Sequence, residues 1–129
     1  MTEKQKTVLK TFLTSNHADI QECHHGDCVG ADADFHTICE ELNIPIYIHP
    51  PANPANRAFC RSPHIFPEFE YLVRNCHIVD SCDVLLAAPK SLSEERRSGT
   101  WHAIRYALGK KPVNVFYYDG SSIFGLSKV

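Results

Sequence analysis

The stretch HHGDCVGAD, residues 24–32, contains two histidines, two glycines, two aspartates and a cysteine, and it lies between an apolar segment and a predicted helix. Gly26 and Gly30 allow the backbone to turn tightly there, and helical spacing of apolar residues begins at Ala31. Glycines let backbone N–H groups approach an anion, and the dipole of a following helix favours negative charge. The stretch therefore predicts the turn of a strand–turn–helix unit that could bind an anion.

Strand and helix patterns alternate on both sides of this turn. The spacing of apolar residues predicts helices over residues 4–14, 31–42, 68–81 and 100–108, and short apolar runs predict strands over 18–23, 44–49, 83–88 and 112–118. A Pro/Asn-rich loop spans residues 50–66, and loops of this length are often lids or binding segments. The alternation predicts a single α/β domain over residues 1–129, with a parallel sheet covered by helices on both faces.

The helix predicted over residues 68–81 carries an apolar stripe and a polar pair. The predicted inward face comprises Phe69, Leu72, Val73, Cys76 and Val79. Arg74 and Asn75 lie off this stripe, so they are expected either on a solvated face or directed at a ligand. In the last predicted helix, Trp101 is expected in the core.

Composition excludes several classes of protein. Hydrophobic residues make up 43% of the chain and charged residues 22%, as is usual for globular domains. Thirteen basic and fifteen acidic side chains give a net charge of −2, without the basic excess typical of nucleic-acid-binding proteins. No apolar run is long enough to span a membrane, and the first residues lack the apolar core of a secretion signal. We therefore expect a cytoplasmic protein, with no membrane or nucleic-acid partner, whose six cysteines are free.

Three chemistries fit the opening stretch. Cys23, His24, His25 and Cys28 could hold zinc, but no second ligand pair completes a zinc knuckle, so we assign no metal. Cys28 near a helix N-terminus could be a thiol nucleophile, although the sequence does not show that a base meets it. Phosphate fits best, bound by backbone amides near the two glycines.

A second turn strengthens the phosphate interpretation. Residues 95–108, ERRSGTWHAIRYAL, again lead into a predicted helix. Ser98, Gly99 and Thr100 can donate hydrogen bonds at its N-terminus, and Arg96 and Arg97 can hold an anion. The alternative is an ordinary serine N-cap with solvated arginines.

Because ligands of parallel sheets bind beyond the carboxyl ends of the strands, both turns are expected at one edge. The predicted ligand-binding residues are His25, Gly26, Asp27, Gly30, Asp32, Arg74, Asn75, Arg97, Ser98, Gly99 and Thr100. Within this set, Arg74 and Arg97 are expected to bind phosphate, and Asp27 or Asp32 is expected to bind the ribose hydroxyls. No catalytic residue and no cofactor is assigned.

Three segments together resemble the SLOG superfamily of Rossmann-like proteins. They are HHGDCVGADADFH at 24–36, YLVRNCHIVDSCDVLLAAP at 71–89 and RSGTWHAIRYA at 97–107. The superfamily includes LOG phosphoribohydrolases, the DNA-processing protein A fold and molybdenum-cofactor carriers. The resemblance covers residues 18–118, and its closest part is similar to a small bacterial and phage branch.

The resemblance implies a Rossmann-like parallel sheet and a nucleotide site. Gly26 and Gly30 match glycines of the LOG loop, Arg74 matches an arginine of the LOG nucleotide site, and residues 98–100 match the phosphate-binding turn. LOG enzymes usually follow that arginine with lysine, whereas Asn75 follows here. Ala103 stands where those enzymes carry a catalytic glutamate, and a methyl group cannot act as an acid or base. The resemblance therefore implies nucleotide binding without hydrolysis.

The resemblance also bears on assembly. Relatives begin with a strand before the first helix, whereas this sequence starts at that helix. Either the sheet lacks a strand or another chain supplies its neighbour. Since an open strand edge is a liability, a homodimer or larger oligomer is expected.

Several hypotheses for function follow. The leading one is a sensor or sequestering protein for an AMP-, ADP-ribose- or cyclic ADP-ribose-like ligand, as implied by relatives in phage defence or anti-defence. The alternative is a nucleoside 5′-monophosphate phosphoribohydrolase in which His25, Asp27 or Asp32 replaces the glutamate. The third is a DNA-handling module, which the acidic balance disfavours, and a self-assembling structural subunit is the fallback.

Overall fold

Helices and short strands alternate along the part of the chain, residues 1–128, that a computed structural model describes. The helices are α1 (Glu3–Ser15), α2 (Ala31–Glu41), α3 (Tyr71–Ser81) and α4 (Gly99–Ala107). The strands are β1 (Cys23–His25), β2 (Ile46–Ile48), β3 (His64–Ile65), β4 (Leu85–Ala87), β5 (Val113–Phe116) and β6 (Ser122–Ile123). Within residues 1–128, no helix combines the length and apolar character that crossing a bilayer requires.

The strands form two small sheets rather than the single sheet expected from the alternation. In the first sheet β1, β2 and β3 are all parallel, with Cys23 opposite Ile46 and Tyr47 opposite His64. In the second sheet β4 is parallel to β5, while β6 is antiparallel to β5. The prediction of a mixed α/β chain with parallel pairing is confirmed, but a single and wholly parallel sheet is wrong.

Over the described residues, both three-stranded sheets end in strands that pair on one side only, and β1 and β4 are two of these edge strands. Among residues 1–128, β1 pairs only with β2, and β4 pairs only with β5. Cys23 donates its backbone N–H to Pro45 and the His25 carbonyl accepts from His49, so the intervening peptide group of His24 faces away from β2. By the same alternation, Leu86 presents its peptide group on the open side of β4.

Two apolar clusters form the core. The first contains Leu9 and Leu13 of α1, with buried side chains of α2, β1, β2 and Phe116 of β5. The second lies between α3, α4, β4 and β5, and includes Val79 and Trp101. Trp101 is 3% exposed, so its predicted core position is confirmed.

Helix α1 joins the two sheets through one polar side chain. The Gln5 amide is buried and donates to the carbonyls of Pro89, just beyond β4, and Phe116, in β5, at 3.0 Å each. The same side chain completes a capping box with Thr2, because Gln5 Oε1 accepts from the Thr2 N–H at 2.9 Å and Thr2 Oγ1 accepts from the Gln5 N–H. The helix therefore packs its apolar residues on one cluster and bonds its amide to the other sheet.

Most predicted elements are confirmed with small shifts at their ends. The exceptions are in short segments: residues 17–19 form a 3₁₀ turn, and the first strand begins only at Cys23 instead of at residue 18. Strands β3 and β6 were not predicted, and β3 lies inside the supposed loop 50–66. Both have only two residues, too few to show an alternating pattern.

The predicted inward face of α3 is largely wrong. Phe69, which precedes the helix, and Leu72 and Val73, in its first turn, are 42–45% exposed, whereas Arg74 and Asn75 are 2% and 7% exposed. Val79 is buried as predicted. The apolar pattern failed because the first turn of α3 meets backbone carbonyls instead of an apolar surface, and a guanidinium group can satisfy these carbonyls.

Candidate functional site

Arg74 is the centre of the candidate site. Its guanidinium group donates to the carbonyl of Gly26 at the end of β1, to the carbonyl of His49 (3.2 Å) and to Asn75 Oδ1 (3.1 Å). A fourth contact, from Nη2 to Cys28 Sγ, is 3.7 Å long. Within residues 1–128 Arg74 forms no ion pair with a carboxylate, although it is almost fully buried. Asp32 lies nearby, across Gly26, but no carboxylate of the described residues is within ion-pair distance of Arg74, so the guanidinium group can still attract an anion.

Gly26 is required by its contact with Arg74. A Cβ atom at this position would overlap the guanidinium group and would approach Asp32 Oδ2 to 3.0 Å. The predicted proximity of Gly26, Asp32 and Arg74 is therefore present in the fold. The glycine is needed for close approach, since its neighbour Asp27, and not Gly26, has the positive φ.

Three consecutive backbone amides of the opening turn are already bonded within the chain. The Asp27 N–H donates to His25 Nδ1, the Cys28 N–H to Asp32 Oδ2 and the Val29 N–H to the Asn56 carbonyl. The Asp32 carboxylate thus takes the position in the turn where a phosphate would accept. Burial raises the pKa of Asp32, while the Cys28 amide and Arg74 partly oppose that rise.

Asp27 anchors the long loop that follows β2. Its carboxylate is fully buried, accepting from Arg57 Nε and from the Cys60 N–H at 2.9 Å each. These bonds occupy both carboxylate oxygens, so a contact with ribose would have to displace one of them. In the structure, Asp27 therefore holds this loop in place, a role that the sequence did not indicate.

A second group of predicted residues meets at the N-terminus of α4. Ser98 caps this helix by accepting from the Trp101 N–H at 3.3 Å, which is the ordinary serine cap considered as the alternative. Asn75 Nδ2 donates to the Gly99 carbonyl at 3.4 Å and so joins α3 to this turn. A Cβ on Gly99 would overlap the Tyr71 hydroxyl.

The Tyr71 ring covers the guanidinium group of Arg74, at 4.8 Å from its carbon Cζ. Its hydroxyl reaches the turn at the start of α4. One aromatic side chain therefore spans from the buried cation to that helix N-terminus. Sequence reasoning missed Tyr71, because a tyrosine in the first turn of a helix has no distinguishing pattern.

The other predicted residues, His25, Gly30, Arg97 and Thr100, are not among the hydrogen-bond partners of Arg74 in the described part of the chain. Arg97 and Gly30 are exposed, Thr100 is half-buried, and Gly30 has a φ of 94° that glycine adopts without strain. The His25 ring lies against Phe35 and His36 of α2. Burial, with a smaller contribution from the neighbouring His36, lowers the pKa of His25 to about 4.

Cys28 has the properties of an unactivated thiol. Burial raises its pKa, and this effect outweighs the hydrogen bond from Arg74 that lowers it. A nucleophilic cysteine needs the opposite shift, toward thiolate at neutral pH. The electrostatics of the turn therefore disfavour thiol catalysis.

A cavity of about 280 Å³ opens beside Arg74. Its main lining residues are His49, Phe66, Phe69, Arg74, His77 and Asp80. This volume is just below the usual range of small-molecule pockets, about 300–1,000 Å³. Except for Arg74, none of these residues was predicted at the site: Phe66 was placed in the loop 50–66, and Phe69 on the inward face of the helix predicted over 68–81.

The wall of this cavity is aromatic and stacked. His49 and Phe66 stack at 4.4 Å between ring centroids, and His24 donates to or accepts from His49 at 2.8 Å. Phe69 meets His77 edge to face at 4.6 Å. Planar rings next to a buried cation can bind a planar group joined to an anion.

No protein-family model, no curated protein and no solved structure matches the chain.

Proposed function

We propose that the protein binds a nucleotide-derived ligand, such as an AMP-, ADP-ribose- or cyclic ADP-ribose-like molecule, and acts as a sensor or a sequestering protein of the SLOG type. The phosphate lies toward Arg74, Arg97 and the N-terminus of α4. The base enters the cavity lined by His49 and Phe66.

The proposal depends on the burial of the Arg74 guanidinium group without a carboxylate partner among the described residues. A guanidinium group 2% exposed and without an ion pair in residues 1–128 is a costly arrangement unless it serves a further purpose. Arginine is the residue best suited to bind phosphate, because its fork of donors matches two phosphate oxygens. Tyr71 covers the group, so its ring turns aside when the anion enters.

The aromatic cavity supports a base as the second part of the ligand. Stacking on aromatic rings accepts any nucleobase, because every base has a π-face. The cavity and Arg74 are adjacent, as a nucleoside and its 5′-phosphate must be. Asp32 accepts from the Cys28 amide in the ligand-free chain, and in the bound state it accepts from a ribose hydroxyl.

The test is a thermal-shift series on the full chain. AMP and ADP-ribose are expected to raise the melting temperature by several degrees at about 100 times the dissociation constant, which corresponds to about 2.7 kcal/mol of linkage. Adenosine, which lacks phosphate, should shift it less. Mass spectrometry of the supernatant from freshly purified, denatured protein identifies any ligand retained.

Two exposed arginines provide a matched pair of variants. Arg97→Ala is expected to weaken AMP binding, whereas Arg61→Ala, outside the site, should leave it unchanged. Gly99→Asp adds negative charge at the α4 turn and should abolish the shift by AMP. The proposal fails if no nucleotide shifts the melting temperature, or if Gly99→Asp binds AMP as the parent does. Release of free base from AMP would instead favour the hydrolase.

A further inference from the structure

Two buried histidines and a half-buried cysteine from three separate segments meet beside β1. His25 ends β1, His36 lies in α2, and Cys60 lies in the segment between β2 and β3. One ring nitrogen of each histidine and the Cys60 sulfur all lie within 4.8 Å of one another. His25 and His36 are only 3% and 5% exposed. The three side chains form a compact set of two nitrogens and one sulfur that is open on the cysteine side.

We propose that His25, His36 and Cys60 bind one divalent cation of the zinc class. Two imidazoles and a thiolate are borderline-soft ligands that suit Zn²⁺, whereas Mg²⁺ and Ca²⁺ require oxygen ligands. Three protein ligands leave the fourth tetrahedral position to water or to an exogenous ligand. His25 belongs to the ligand-binding set predicted from the sequence, whereas His36 and Cys60 do not, and the nucleotide contacts proposed above, at Arg74, Arg97, Asp32 and the aromatic cavity, use none of the three.

The surroundings of the three side chains are those of a supported metal site. Ligating histidines commonly direct their second nitrogen to a carboxylate, and Glu40 Oε1 lies 3.7 Å from His36 Nε2. Cys60 is positioned by its N–H bond to Asp27, whose second oxygen is held by Arg57. The loop that carries the sulfur is therefore fixed to the turn after β1 before any metal binds.

Metal binding changes one contact of the metal-free chain. The Asp27 N–H donates to Nδ1 of His25, so the neutral ring carries its proton on Nε2, which lies 2.9 Å from His36 Nδ1. When the cation takes Nε2, this proton moves to Nδ1 and the Asp27 amide loses its acceptor. The thiol proton of Cys60 is released to solvent. The Asp27 amide resonance is therefore a direct spectroscopic marker of the bound state.

The sequence alone did not reveal this set, because its members are separated by 11 and 24 residues and match no zinc-ligand spacing. Proximity arises when β1, α2 and the loop after β2 fold together. Of the four metal ligands considered from the sequence, only His25 belongs to the set.

The test is a Co²⁺ titration of the untagged, metal-free full chain. One equivalent should saturate a sulfur-to-cobalt charge-transfer band, and Zn²⁺ should displace it. Cys60→Ser should abolish the band, and His36→Gln should weaken Co²⁺ binding at least about tenfold. Cys76→Ser, which removes a thiol of α3 outside the set, is the matched control and should titrate like the parent.

A second measurement uses the unchanged protein, in case a variant does not fold. Zn²⁺ should slow alkylation of Cys60 by iodoacetamide, followed by peptide mass spectrometry, and should not slow that of Cys76. It should also shift the Asp27 amide resonance. The proposal is overturned if the parent gives no charge-transfer band, if Cys60→Ser keeps it, or if Zn²⁺ leaves the alkylation rate of Cys60 unchanged.

Discussion

At the scale of single residues, the histidines of the cavity wall make stability depend on pH. Burial, with a smaller contribution from the adjacent His24, lowers the pKa of His49 to about 4. The unfolded chain binds the proton near pH 6.5, while the folded chain resists it until about pH 4. The free energy of unfolding is therefore fully maintained above pH 6.5 and falls as the pH drops from 6.5 toward 4.

We expect His49→Gln to reduce this acid sensitivity. By linkage, His49 alone accounts for about 1–2 kcal/mol of the stability lost between pH 7 and pH 5, allowing for screening. Urea unfolding of the parent and of the variant at both pH values measures the difference. The assignment would be wrong if the variant lost as much stability as the parent over this range.

Arg74 was chosen from the sequence because it lies off the predicted apolar stripe and matches an arginine in the proteins that the chain resembles, but its burial could not be foreseen. The apolar pattern of one helix predicts that its arginines face solvent. It contains no information about the backbone carbonyls of other elements that pack against the helix. Asp27 was expected to contact a ligand because of its residue type. In the structure its carboxylate instead accepts hydrogen bonds from Arg57 and Cys60, which are distant in sequence. Contacts between loops depend on tertiary structure that spacing does not encode.

At the scale of secondary structure elements, α1 depends on one buried amide. Gln5→Leu would leave the carbonyls of Pro89 and Phe116 unpaired and would break the capping box with Thr2. We expect it to lower the free energy of unfolding by about 2–3 kcal/mol, measured by chemical denaturation. Gln21→Leu, at an exposed position, is the control and should change it by less than about 0.5 kcal/mol. Similar losses in the two variants would contradict this account.

Elements were predictable in proportion to their length. The four helices have 9–13 residues, enough for a 3.6-residue period to repeat, and each was predicted near its observed bounds. Strands of two residues show no period, so β3 and β6 were missed. The consequence for the site was large, because β3 leads into Phe66 at the cavity wall.

At the scale of the whole molecule, the open edges of β1 and β4 bear on the predicted oligomer. If a second copy covers them, the amides of His24 and Leu86 should become more protected from hydrogen exchange as the protein is concentrated. The amide of Leu85, which already donates to Pro112, should not change. Light scattering should show a species larger than a monomer. A monomer at every concentration, with rapid exchange at His24 and Leu86, would contradict the oligomer prediction.

Helix α1 has a further consequence for how the chain tolerates change. Gln5, Leu9 and Leu13 are spaced by four residues and so share one face of the helix. On this face Gln5 bonds to the second sheet, while Leu9 and Leu13 pack in the first apolar cluster. Inserting one residue between Gln5 and Leu9 would turn the two parts of this face by about 100° relative to each other. The helix thus acts as a spacer of fixed length: its outer surface is free to vary in sequence, but insertions and deletions in this interval would misalign the two sheets.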